Sequence, residues 1–537
     1  MFKNGLGVNA DNSEALVFYK LAADQGYALA QHNLAVMYEK GEGVDQDRSE
    51  AIRYYKLAAE RGYAPAQRYL AEIYSEGKGT PQDLSQALIY LKLAADQGYA
   101  SAQYDLATMY EKGEGVDQDY SEAMRYYKLA ADQGYAAAQC DLAILYHEGQ
   151  ASPSDNLEIV RYFKLAADQG YAPALHYLAF MYAKGEGVEQ DYQQALGYYG
   201  LAADQGYAPA QFDLAILYDN GQGVRQDYLE ALRYYKLAAD QGYVMAQHYL
   251  AVMYLRGEGT PQNYPEALRY FKLAADQGYV PSQHYLAVMC SKGEGVAQDF
   301  SEALCYYKMA ADQGHVPSQF DLANLYENAR GVPRDLSEAL RYYKLAADQG
   351  YSQAQLNLAV MYATGEGVRQ DYSQAMLYFK LAAEQGNPVA QYNIANMYAQ
   401  GKGVAQDISQ ALRYFYLAAQ RGHAPAQFDL ATMYDKGHGL PQDHSEALRY
   451  YMLAADQGHA EAQFELAVMY ENGIAVSQDF SEAIRYYTLA ADQGHVAAQN
   501  NLAVAYQTGE GVEQDYSQAV RYFKLAADQG NVKAQYN

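Results

Sequence analysis

Apolar residues return along this chain at helical spacing, and the same block of them returns every 36 residues. Within Tyr27 to Gly62, Ala30, Leu34, Met37 and Tyr38 fall on one helical face, which predicts a first helix ending near Gly41. Gly41-Glu42-Gly43-Val44 follows, a turn whose glycines supply the left-handed backbone that a tight connection between helices needs. Asp47 then precedes Glu50 by three, a capping-box spacing that predicts the start of a second helix. Ala51, Tyr54, Tyr55, Ala58 and Ala59 form the apolar face of that second helix, and Gly62 ends it. We call the two helices A and B, and count positions from Tyr27 as position one.

The register never slips. Leu-Ala-Ala-Asp-Gln-Gly at Leu21 to Gly26 recurs, with small changes, at Leu57, Leu93, Leu129 and onward to Leu525. Fourteen complete units run over 27–530; 1–26 holds a partial repeat (turn and helix B), and 531–537 starts a further, truncated one. The opening and the end both read as cuts through a longer array. Pro65, Pro173, Pro209, Pro281, Pro317 and Pro425 all fall in the first turn of helix A, where a missing N–H costs nothing. Alanine occupies the place of Ala35 in all fourteen units and of Ala58-Ala59 in all fifteen copies. Side chains that small let helix axes approach to about 8 Å. A 36-residue hairpin cannot bury its apolar face alone, whereas stacked neighbours can. The predicted fold is therefore all-α, a right-handed α/α superhelical solenoid forming one body with a concave and a convex surface.

These residues resemble the Sel-1-like repeat, a relative of the tetratricopeptide repeat. Ala30, Leu34, Tyr38, Gly41, Gly43, Val44, Asp47, Ala51, Tyr54, Tyr55, Ala58, Ala59 and Gly62 carry the resemblance, which extends over essentially the whole chain. Ala35 stands where the family usually has glycine. The resemblance implies a scaffold or adaptor that assembles protein complexes, as members do in endoplasmic-reticulum quality control, cell-wall regulation and bacterial host interaction. A cysteine-rich bacterial branch is linked to penicillin binding and hydrolysis, the alternative reading. Its paired cysteines are missing here, so that activity is not carried over.

Composition removes other classes. The net charge of −26 and the lack of any basic run argue against nucleic acid and anionic membranes as partners. There is no apolar run of about 18 residues to span a bilayer. No leader segment is apparent at Met1-Phe2-Lys3, and three cysteines (Cys140, Cys290, Cys305) form neither a disulfide framework nor a zinc pattern, which favours a soluble, cytoplasmic, monomeric protein. Cys290 and Cys305 fall on the two helices of one repeat. The eleven histidines make no H-E-x-x-H and no ligand-spaced pair, although His248 and His284 occupy equivalent places in successive units. No catalytic constellation, metal site or cofactor is expected.

Function belongs where copies differ. The third, sixth, seventh and tenth positions lie on helix A opposite its core face, where polarity is expected, yet many are apolar or aromatic. Phe180, Phe212, Ile216, His248, Tyr249, Val252, His284, Tyr285, Val288 and Phe320 concentrate this character between Tyr171 and Gly350. Two readings fit: a groove for an extended or helical peptide from a partner protein, or packing between successive A helices. Helix B shows an ordinary charged exterior at Glu50, Arg53 and Lys56. The fourth repeat departs most, with Gly149-Gln150-Ala151-Ser152-Pro153-Ser154 in its turn, Ile159 for the recurrent Ala and Leu175 following for the recurrent Gln, the marks of a bend or a local contact site.

Overall fold

The computed structural model describes residues 12–149 and 156–536, among which thirty α-helices and no strands occur. The chain start and most of the unusual fourth turn (150–155) lie outside the described residues. Two compact units are present, one ending at Tyr279 and the other beginning at Val280. In each, helix A pairs antiparallel with its own helix B, which packs in turn on the next helix A.

In the first repeat, helix A is Ala28–Lys40 and helix B is Arg48–Glu60. Asp47 caps helix B by accepting from the Glu50 N–H at 3.0 Å. The reciprocal arm of the capping box is absent, because the Asp47 N–H is already given to the Tyr38 carbonyl at 2.9 Å. Glu50 pairs instead with Arg53 at 2.8 Å, and the Arg53 guanidinium lies 4.1 Å from the centre of the Tyr54 ring. Tyr54 stacks in turn on Tyr38, with centroids 5.8 Å apart. That pairing repeats as Tyr110–Tyr126 and Tyr434–Tyr450, so much of the tyrosine excess fastens A to B within a repeat. Ala35 and Ala58 are completely buried where the two helices meet.

Both turn glycines are left-handed, Gly41 at φ 71° and Gly43 at φ 73°. The second has a further reason to be glycine. A Cβ on Gly115, its equivalent in the third repeat, would stand 2.6 Å from the Cβ of Leu84 in the preceding repeat. Ala329 and Ala475, which replace turn glycines, hold the same left-handed conformation at φ 55° and 59°. Such a backbone costs an L-residue about 1–2 kcal/mol. Ala475→Gly is therefore expected to stabilise by about 1 kcal/mol, read as a rise in denaturation midpoint; an unchanged or lowered midpoint would contradict the strain.

One buried polar device joins the repeats. Gln67, 3% exposed, donates to the Ala59 carbonyl of the previous helix B at 3.1 Å and accepts from Gln97 at 2.7 Å. The same two bonds recur at Gln103 and Gln139. Leu175 interrupts the ladder, and Gln205 is left with the carbonyl of Leu201. Ile159 and Leu175 are both buried, so these departures of the fourth and fifth repeats fill core.

Candidate partner-binding face

The sixth position of helix A points at the next repeat rather than at open solvent. In the first unit, Phe212 is 5% exposed and touches Tyr235, Tyr243 and Tyr249, with centroids 5.3–5.7 Å apart. His248 is likewise buried against Phe271 and Tyr279. Ile216, Val252 and Phe180, at the tenth position, are half-buried, and Tyr249 is 40% exposed. In the second unit, His284 and Phe320 are half-buried, His284 against Tyr307 and His315 and Phe320 against Tyr343 and Tyr351. Tyr285 and Val288 are half-buried as well. The sixth-position rings are thus seams between repeats, and the seventh and tenth positions carry what stays accessible.

Burial lowers the pKa of both His248 and His284 to about 4, with the neighbouring His315 adding to the fall at His284, which keeps them neutral near pH 7. Among the described residues, no group of three or more His, Cys, Asp or Glu is placed to hold a metal. Cys140 and Cys290 are buried, Cys305 is exposed and none of the three is in a disulfide.

The seventh position contacts the sixth position of the preceding repeat. Arg68 meets Asp105 at 2.7 Å, the Tyr104 hydroxyl donates to Asp141 at 2.8 Å, and His176 meets Asp213 at 2.7 Å. Where the seventh residue is tyrosine, its ring stacks on the helix-B aromatic below it, as in Tyr69 on Tyr55 and Tyr177 on Phe163. Ring size then sets the space between repeats. Beside Tyr69 the crevice is about 40 Å³, whereas beside Asp105, Asp321 and Asn393 it is about 260, 520 and 430 Å³. A tyrosine plugs the crevice and a short side chain leaves it open. Of the ten residues singled out in the sequence, Val288 alone lines one of these crevices. The alternation of Tyr with Asp or Asn at position seven was visible in the sequence; its consequence depends on the neighbouring repeat.

The family profile of the Sel1 repeat matches fifteen consecutive segments, from 1–27 and 28–63 through to 496–531. The chain belongs to the Sel1 repeat family. A protective antigen present in uropathogenic Escherichia coli strains, which displays an SLR fold, is similar in structure. It is 30% identical, with 90% of this chain and 97% of that one covered, at a TM-score of 0.63. A Sel1 repeat protein from Oxalobacter formigenes is 32% identical over 59% of this chain and 94% of its own, at a TM-score of 0.49. No curated protein matches at a significant level. Sel1 repeats suggest a protein-interaction scaffold, and no helix among the described residues is long and apolar enough to cross a membrane.

The last Sel1 repeats differ from the first at position one. Early repeats place tyrosine there, without a side-chain cap on helix A. His423, His459 and His495 instead accept the N–H of the residue three further on through Nδ1, at 3.1–3.3 Å, and Asn387 caps in the same way at 3.0 Å. Burial lowers the pKa of His423 below its ordinary value of 6.5, so protonation favours the unfolded chain. The sign follows: this stability is present above about pH 6.5 and is lost as pH falls below it, since a protonated Nδ1 accepts nothing. His423→Asn is expected to match the parent at pH 8 and to exceed it at pH 5, by about 1 kcal/mol, the weight of one cap. Denaturant midpoints at the two pH values decide, and equal midpoints at pH 5 would remove the histidine cap from the account.

Proposed function

We propose that this Sel1 repeat protein is a non-catalytic scaffold that binds a partner protein or peptide along its A helices, on the concave face of the array. The observation that carries this reading is a set of apolar side chains left uncovered on helices otherwise buried. Ile216 and Val252 in the first unit and Val288 in the second remain half-buried, and Tyr249 and Val360 are each 40% exposed. Helix B, by contrast, presents ion pairs such as Arg53–Glu50 and Arg125–Glu122 to solvent. Within each unit, such uncovered apolar side chains suit an extended segment that places successive side chains between repeats. The net charge of −26 favours a partner of opposite sign and speeds its encounter.

The test is selection of peptides from a displayed random library on the full chain, followed by binding to Val252→Glu and Val288→Glu separately. Loss of the selected peptides with unchanged helical circular dichroism supports the reading. Undiminished binding by both variants defeats it, as does unfolding of either, which would make the tenth position core.

A further inference from the structure

The crevice between repeats eight and nine differs from its counterparts in the charges it brings together. In the first unit, a seventh-position carboxylate has a cation or a proton donor from the preceding sixth position: Arg68 for Asp105 and His176 for Asp213, each at 2.7 Å. The corresponding pair here is His284 and Asp321. His284 turns its Nδ1 to the Ser318 hydroxyl at 3.0 Å, and its burial keeps it neutral. Asp321 instead accepts from the Tyr307 hydroxyl and feels the charge of Lys292 at the crevice mouth, with no cation from the preceding sixth position. The place that Arg68 fills between its own repeats is open between these two, in a crevice of about 520 Å³.

The walls and mouth narrow what fits. Val288, Phe300 and Leu325 line the space with apolar surface, suited to the methylene stem of a long basic side chain. Lys292 and Arg330, both exposed, stand at the rim, and Lys292 lies 3.7 Å from Glu294. Negative charge inside and positive charge outside is the reverse of the order along a residue that ends a chain with a basic side chain. Resting on the reading of the A-helix face as the partner's site, we propose that this crevice binds a carboxyl-terminal arginine or lysine of the partner. Asp321 pairs with the basic side chain, the Tyr307 hydroxyl holds the Asp321 carboxylate in place, and Lys292 and Arg330 meet the terminal carboxylate.

The probe is Nα-acetyl-arginine, added to the full chain with the thermal midpoint as readout. A saturable rise in midpoint is expected with acetyl-arginine, a rise needing about tenfold more compound with its amide, and none with acetyl-citrulline. Asp321→Asn, which keeps an acceptor for Tyr307, is expected to fold and to lose the response. Arg68→Ala vacates the Asp105 crevice, whose lining carries Glu72 and Glu114 in place of rim cations, and is expected to add a response to the amide. Equal responses to arginine and citrulline, a response retained in Asp321→Asn, or none at all overturn the proposal; equal responses to acid and amide overturn its carboxyl-terminal part. Peptide selection on Val252→Glu, which lies outside this crevice, reports on the broader reading, so the two fail separately.

Discussion

Gly115→Ala is expected to destabilise the array by about 3 kcal/mol, whereas Gly134→Ala costs about 1 kcal/mol. Both glycines are left-handed, Gly115 at φ 72° and Gly134 at φ 86°, so both substitutions pay the strain of an L-residue in that region. They differ in what the new methyl meets. Around Gly134 nothing lies within 4 Å. At Gly115 the methyl would stand 2.6 Å from the Leu84 Cβ and 3.3 Å from the Met109 methyl, and Leu84 opens helix B of the preceding repeat, Leu84–Asp96. Relief requires the third repeat to move off the second. In a stacked array each repeat is held by its neighbours, so the loss falls on that interface. Amide exchange therefore rises first in Leu84–Asp96 and Ala100–Lys112 for Gly115→Ala. Equal costs for the two variants would show that the close approach relaxes freely.

That contrast also marks what a sequence of this kind displays and what it conceals. The period, the two helices, the Asp47 cap and the left-handed turn are each dictated within a single repeat, and fourteen copies remove the noise. The close approach at the second glycine is not local, because Leu84 lies 31 residues before Gly115. The glutamine ladder was legible in principle. A polar residue at position five on a buried face, in thirteen of fourteen repeats, announces a satisfied hydrogen bond, although its acceptor lies in the preceding helix B.

The candidate site was less legible for a related reason. A helical wheel drawn on one repeat sets position six opposite the core and so exposes Phe212 and His248, which the structure buries against aromatic rings of the following repeat. In a stacked array a helix has two covered flanks rather than one, and the wheel knows only the first. Accessibility passes instead to positions seven and ten, where tyrosine against aspartate decides whether a crevice is filled.

Those seventh-position carboxylates yield the other large effect: Asp141→Asn is expected to stabilise the protein near neutral pH, against the usual direction for removing a hydrogen-bonded charge. Asp141 accepts from the Tyr104 hydroxyl at 2.8 Å, and an asparagine Oδ1 keeps that acceptor. Burial is the larger influence, raising the carboxyl from 3.8 to about 6; Tyr104 and Lys112 pull the other way, and Glu111 adds to the rise. That change weighs about 3 kcal/mol between the protonation states, and partial exposure to solvent reduces the expected gain to about 1–2 kcal/mol. The folded chain holds this proton more tightly than the unfolded one, so stability falls as pH rises from about 4 to about 6. Below about pH 4 both states are protonated and the penalty is absent; above about pH 6 it is present in full. Urea midpoints of the parent and Asp141→Asn should therefore converge at pH 4 and separate at pH 8, with the variant higher. A constant difference across that range, or a lower midpoint for the variant at pH 8, would mean that Asp141 is charged at no cost. The rise on Asp321, also to about 6, would then lose its basis in burial.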